Sequence, residues 1–237
     1  MLEAVSAKAL FRATKAKPET APQLMSLPIQ RAPEDARRSK DFYPTGQPEA
    51  IRALLARDGD VIRSRGKWIW ENACGDGAMV REIQSHGFKC IFSDVEYRGL
   101  PLTEVRSFYE YRHSAAPSII TNPPYCEINA RDGHGRWLRH TLDLPGWSYC
   151  ALLLSWDWPA ARQNGLGALL DEHTFTRAYL MRWKLDFTGQ GSPPQRNAWF
   201  VWDRRDPRSW SPHSDHPAPD FLTLDRDEDA RQPCLIN

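Results

Sequence analysis

What this sequence lacks narrows the field. Its five cysteines (Cys74, Cys90, Cys126, Cys150 and Cys234) include no C-x-x-C pair, so neither a disulfide framework nor a zinc site is expected. The His213 and His216 pair sits in a Pro-, Ser- and Asp-rich stretch and makes a poor metal site. Apolar runs such as 151–156 are far shorter than the roughly twenty residues that cross a bilayer. The first residues lack the long apolar stretch of a secretory signal, and the expected setting is a reduced cytoplasm. Charge of one sign is also missing. A net charge of +1 gives no whole-molecule field that would draw nucleic acid, although a local basic cleft would suffice. There is no internal repeat.

What is present is enough apolar material for a sizeable core, 41% of residues, with ten tryptophans. Residues 1–38 carry Pro18, Pro22, Pro28 and Pro33 without sustained periodicity and read as a flexible extension. From 204 to 237 the chain is again rich in Pro, Asp, His and Arg and reads as a tail. Between them, 39–203 alternates strand and helix patterns. "QPEAIRALLAR" (47–57) starts a helix at Pro48 and sets Ile51, Leu54 and Leu55 on one face. "KWIWENACGDG" is a buried strand entering a glycine turn, "AMVREIQSHG" a helix, and "FKCIFSDV" a second strand ending on an acid. "SIITNPPY" and "SYCALLLSW" are further strands with a helix near 135–142 between them. "LGALLDE" is helical, and "TFTRAYLMRW" and "NAWFVW" are strands with no helix between them. Strands separated by helices predict an α/β fold with a mostly parallel sheet, and the last two strands predict an antiparallel pair at one edge.

Ligands of such sheets bind beyond the C-terminal strand ends. There, Gly75 and Gly77 permit a tight turn, and Glu71 at the strand's end could hold an ammonium group. The turn is not G-x-G-x-x-G, since Val80 occupies the third position, and no Walker lysine follows. Asp94, with Glu96 nearby, ends the second strand where an acid can bond ribose hydroxyls. The same residues would also serve a plain glycine turn beside two surface carboxylates.

The stretch "TNPPY" bears more chemistry. Two prolines end a strand and hold Asn122 extended. Asn-Pro is also an ordinary turn signal. Alone, the stretch reads as a stiff exit from a strand or as a site where rigidity serves chemistry.

"ENACGDG", "SDV" and "TNPPY" occur in the order seen in class I S-adenosylmethionine-dependent methyltransferases. With "DFYPTG" (41–46) upstream and "QRNAWFVW" near the end, the ensemble resembles the small adenine-N6 DNA methyltransferases of phages and prophages over residues 41 to 203. The resemblance implies a Rossmann-like sheet and S-adenosylmethionine as cofactor. Glu71, Gly75 and Gly77, with Tyr43 and Thr45, would hold its methionine portion and Asp94 its ribose, with Phe108 packing on its adenine. Asn122, Pro123, Pro124 and Tyr125 would form the methyl-acceptor site. Such a site takes a planar C–NH2 nitrogen, a poor nucleophile because its lone pair is delocalised. The Asn122 side-chain oxygen and the Pro123 carbonyl would accept from its two N–H groups, favour a tetrahedral nitrogen and free that pair. Pro123 and Pro124 bring no competing N–H, and Tyr125 would offer a face for a base taken out of its stack. Where the family usually has Asp-Phe, this chain has Ser107-Phe108, a weaker partner for the adenine amine.

No target-recognition domain of a hundred residues or more is expected from this sequence, so recognition is expected to fall to loops 98–117, 126–136, 157–165 and 186–197. Arg131, Arg136 and Arg139 lie where phosphate contacts would position a flipped base. Lys184, Gln190, Gln195 and Arg196 lie on or near the loop joining the two final strands. Trp156 and Trp158 are pocket walls or core. The expected activity is methylation of adenine N6 in DNA by a monomer, with no partner nuclease evident. The alternatives are an RNA adenine or protein glutamine amide as acceptor, or a silent nucleic-acid-binding protein of the same fold.

Overall fold

Helix α1, Glu49–Arg65, begins behind Pro48 and ends at Gly66, whose φ of 138° lies in the region open to glycine. Glu49 sits in its first turn and Arg63 and Arg65 in its last, each complementing the helix dipole. The computed structural model describes residues 48–128, 134–160, 165–187, 195–206 and 219–226, all within a unit spanning Arg38–Asn237. The remaining elements follow in chain order. They are β1 (Trp68–Glu71), α2 (Ala78–Ser85), β2 (Lys89–Asp94), β3 (Glu104–Val105), β4 (Ser118–Thr121), α3 (Tyr125–Ile128) and α4 (Arg136–Asp143). Then come β5 (Tyr149–Ser155), α5 (Leu166–Glu172), β6 (Arg177–Met181), β7 (Asn197–Asp203) and β8 (Asp220–Leu224).

The strands form one sheet in the order β3-β2-β1-β4-β5-β7-β6-β8. Among them only β7 runs against its neighbours, pairing antiparallel with both β5 and β6. β5 and β7 are almost wholly buried, which explains their continuous apolar runs. Alternate residues serve two cores. Trp70, Ile119, Leu152 and Phe200 face one side with α4 and α5; Ile69, Ile120, Leu153 and Trp199 face the other with α1 and α2. Trp158 is buried and Trp156 partly so, and both rings pack on Phe200, which assigns them to the core rather than a pocket wall.

Two differences from the sequence reading stand out. The helix of 47–57 continues to Arg65. The tail assigned from 204 is in part sheet, since β8 pairs parallel with β6 from Arg177↔Asp220 to Met181↔Leu224. Its alternation covers only five residues amid charged and proline-rich sequence, too short a signal to read alone. No described helix is long and apolar enough to cross a membrane.

Candidate active site

β1 is flanked by β2 on one side and β4 on the other, so the strand order reverses there and opens a crevice at the strand ends. A cavity of about 410 Å³ occupies it. Three turns build its wall: Glu71–Asp76 after β1, Asp94–Glu96 after β2, and Asn122–Glu127 after β4. Ser107, Phe108, Tyr109 and Trp137 close another side.

The glycine turn is held from across the sheet. Gly75 has φ 54° and Gly77 φ 83°, both left-handed, and a Cβ on Gly77 would lie 2.7 Å from the Leu100 methyls. Gly75 borders the cavity, whereas Gly77 is not among its lining residues and serves the turn and its packing on Leu100. Asp94 accepts the Gly75 amide on Oδ2 (2.8 Å) and the Glu96 amide on Oδ1 (3.0 Å), and so ties the two turns together. Each of its oxygens keeps a second lone pair for a ligand.

Glu71 is buried. Its Oε1 accepts from the Thr121 hydroxyl and from the Ala73 amide, while Oε2 is buried without a partner among the described residues. Burial pushes its carboxyl up to about 8 against two hydrogen bonds that pull it down, with the nearby Asp94 charge adding to the rise. A buried acid with an unpartnered oxygen suits a cationic group.

Asn122, Pro123, Pro124 and Tyr125 all border the same cavity, as do Asp94 and Phe108. Tyr125 opens α3; its hydroxyl accepts from Asn197 Nδ2 at 3.1 Å and its ring meets Phe187 edge-on. Phe108 is buried between Trp70 and Trp137, centroids 5.6 and 4.3 Å away.

Of the cationic residues expected to grip substrate, Arg136, Arg139, Lys184 and Arg196 are described, and none of these four is in the cavity wall. Arg136 lies over the Tyr109 ring at 4.4 Å with Nε 3.4 Å from Glu127, and Arg139 donates to the His134 carbonyl. Lys184 and Arg196 are exposed on the segment between β6 and β7, where Arg196 donates to the Arg182 carbonyl at 3.4 Å. Gln195 is exposed there too. Tyr43, Thr45, Arg131, Gln190, His213 and His216 lie outside the described residues. Among the described residues no cluster could hold a metal ion.

Sequence reasoning passed over Asn72, Tyr109, Glu127 and Trp137. The Tyr109 hydroxyl donates to Glu127 at 2.8 Å; burial and that carboxylate both push the phenol well above its ordinary value. Glu127 follows Tyr125 by two residues, and that proximity was the available signal.

No family model matches the sequence, and no curated protein does either. Among solved structures, a candidate class I S-adenosylmethionine-dependent methyltransferase from Listeria monocytogenes aligns with TM-score 0.50 and 11% identity, over 74% of this chain. The chain spans 64% of that protein's length. A candidate RNA methyltransferase from Pyrococcus horikoshii aligns with TM-score 0.48 and 15% identity, over 84% of this chain and 98% of its own. Magnesium protoporphyrin IX methyltransferase from Synechocystis, solved with S-adenosylmethionine, gives 0.46 and 9%, over 66% and 78%. At these identities the likeness is one of fold, and the Listeria protein carries it. The eight-stranded, mostly parallel sheet with its one reversed strand has the Rossmann-like architecture of the class I methyltransferases.

Proposed function

We propose that this chain transfers a methyl group from S-adenosylmethionine to the exocyclic N6 of adenine in DNA, acting on a base turned out of the duplex. One observation carries the reading: the Asn122–Tyr125 tetrapeptide shares a single cavity with Glu71, Gly75 and Asp94. At about 410 Å³ that cavity falls in the usual range of small-molecule sites.

The residues fit this cofactor. The buried Glu71 Oε2 suits its ammonium group, Asp94 and Glu96 at the end of β2 suit ribose hydroxyls, and Phe108 offers an apolar wall to its adenine. Ser107 supplies only a hydroxyl and backbone groups at the adenine end. When bound, S-adenosylmethionine supplies an electrophilic methyl group on a sulfonium centre.

The acceptor side is the work of this chain's own residues. The Asn122 side-chain oxygen and the Pro123 carbonyl take the two amine hydrogens, which localises the nitrogen lone pair and stabilises developing positive charge. Pro123 and Pro124 add no competing N–H. Tyr125, fixed by Asn197 and Phe187, supports the ring of the base in line with the methyl group. The methylated nitrogen then loses its proton to water without a dedicated base. Arg136, Arg139, Lys184 and Arg196 stand outside the cavity, where phosphate contacts would position the strand.

The test is mass spectrometry of nucleosides from cells expressing the protein in a host without its own adenine methylation. N6-methyladenine should rise in DNA above an empty-vector control. No rise there, with a rise in RNA or in protein N-methylglutamine, replaces the acceptor; no rise in any of the three removes the methyltransferase reading.

A further inference from the structure

Five backbone donors in and just after the turn that follows β1 are already engaged. The Ala73 amide donates to Glu71 Oε1 (3.2 Å), Cys74 to the Ser93 carbonyl (3.0 Å) and Gly75 to Asp94 Oδ2 (2.8 Å). Gly77 donates to the Cys74 carbonyl (2.8 Å) and Ala78 to Asp76 Oδ1 (3.0 Å). A strand-to-helix turn ordinarily offers such amides to an anion. Here those five are bonded within the protein.

What this turn offers instead is a side chain. Asn72 is 3% exposed and borders the cavity, yet neither Oδ1 nor Nδ2 has a hydrogen-bond partner among the described residues. Buried amides are ordinarily satisfied, so this one calls for a partner beyond the described residues, and a ligand in the cavity can be that partner. Glu71, the preceding residue, leaves Oε2 in the same condition. Two adjacent residues thus present two acceptors, one of them on a carboxyl group, and one NH2 donor. An α-amino-acid zwitterion is their complement, with an ammonium for the acceptors and a carboxylate for the donor. A group bearing only a cation would leave Asn72 Nδ2 unmet.

We propose that Asn72 binds the carboxylate of the methyl donor's amino-acid portion through Nδ2, while its Oδ1 shares the ammonium with Glu71. This rests on the reading of the cavity as an S-adenosylmethionine site. It assigns Asn72 to cofactor binding and makes the carboxylate a determinant of affinity.

Calorimetric titration of the full chain with three ligands tests it: S-adenosylmethionine, its decarboxylated analogue, and 5′-methylthioadenosine, which lacks the amino-acid portion. The wild type should prefer the carboxylate-bearing ligand by about tenfold or more, the usual scale of a hydrogen bond to a charged group. Asn72→Ala should erase that preference and leave 5′-methylthioadenosine affinity within about twofold. Asn72→Asp, of nearly the same shape, should reverse the preference by like-charge repulsion. Ligand-free Asn72→Ala should melt no lower than wild type, since it removes an unpartnered buried amide. A carboxylate preference that survives in either variant, or a uniform loss across all three ligands, overturns the assignment and leaves the cofactor reading intact. A wild type that binds none of the three overturns both.

Discussion

Asp94 Oδ2 accepts the amide of Gly75 at 2.8 Å, so the acid at the end of β2 fixes the turn at the end of β1. The proposed ribose role and the observed turn therefore rest on one carboxylate. Asp94→Ala should lower stability by about 1–3 kcal/mol, the cost of leaving a buried amide unpaired. It should also weaken S-adenosylmethionine binding. Asp94→Asn, which keeps one acceptor for Gly75, should recover most of the stability and less of the affinity. Thermal melting and calorimetry on the two variants separate these effects. Unchanged affinity in Asp94→Ala would remove Asp94 from the site.

Asn122 tests the acceptor side alone. Asn122→Ala should reduce methylation by about a hundredfold or more, the scale of losing one preorganised polar group at the reacting atoms. Cofactor affinity should change little, because cofactor binding is assigned to the turns after β1 and β2. Single-turnover methylation and calorimetry on the same preparation give both numbers. Full activity in this variant would refute the Asn122 assignment.

Glu71 predicts a pH dependence. Its carboxyl is raised from 4.5 to about 8 in the folded, ligand-free protein. Between those values the folded state binds the proton more tightly than the unfolded chain, so stability falls as pH rises from 4.5 and levels off above about 8. The loss should be of the order of a few kcal/mol. Glu71→Gln should flatten this part of the curve, measured by denaturant unfolding at pH 5, 7 and 9. Near pH 7 a cationic ligand must displace the proton, so calorimetry in buffers of different ionisation enthalpy should show about one proton released. Proton-independent binding at pH 7 would contradict the raised value.

Asp58 lies on α1, far along the chain from the partners it holds. It accepts from the Tyr149 hydroxyl (2.9 Å), the Tyr179 hydroxyl (2.6 Å) and Arg177 Nη2 (3.0 Å), and Arg177 also approaches Asp203, which Arg65 binds. Of these six, all are buried except Arg65, which is partly so. Asp58→Ala leaves a buried guanidinium and two hydroxyls without their acceptor and should cost about 3–5 kcal/mol. Denaturant unfolding measures it. A loss under 1 kcal/mol would mean that water or Asp206, whose Oδ2 lies 3.5 Å from Arg177 Nη1, takes over the role.

The sequence by itself determined the parts of this protein that local patterning controls. Period-2 and 3.6-residue alternation located four of the five described helices and six of the eight described strands, because each depends on neighbours a few positions away. The glycine turn and the Asn-Pro-Pro-Tyr exit were legible for the same reason: φ above zero needs glycine, and paired prolines stop a strand. Tertiary structure decided what depends on register between distant segments. Glu71 meets Thr121 fifty positions on, and Asp58 meets Tyr179 at 121, distances at which no local pattern carries information. β8 becomes a strand only because β6 presents an edge to pair with. No local pattern singles out Asn72 between Glu71 and the glycines. Only the folded turn, with five of its neighbouring amides bonded elsewhere, leaves that side chain as a buried donor at the cavity wall.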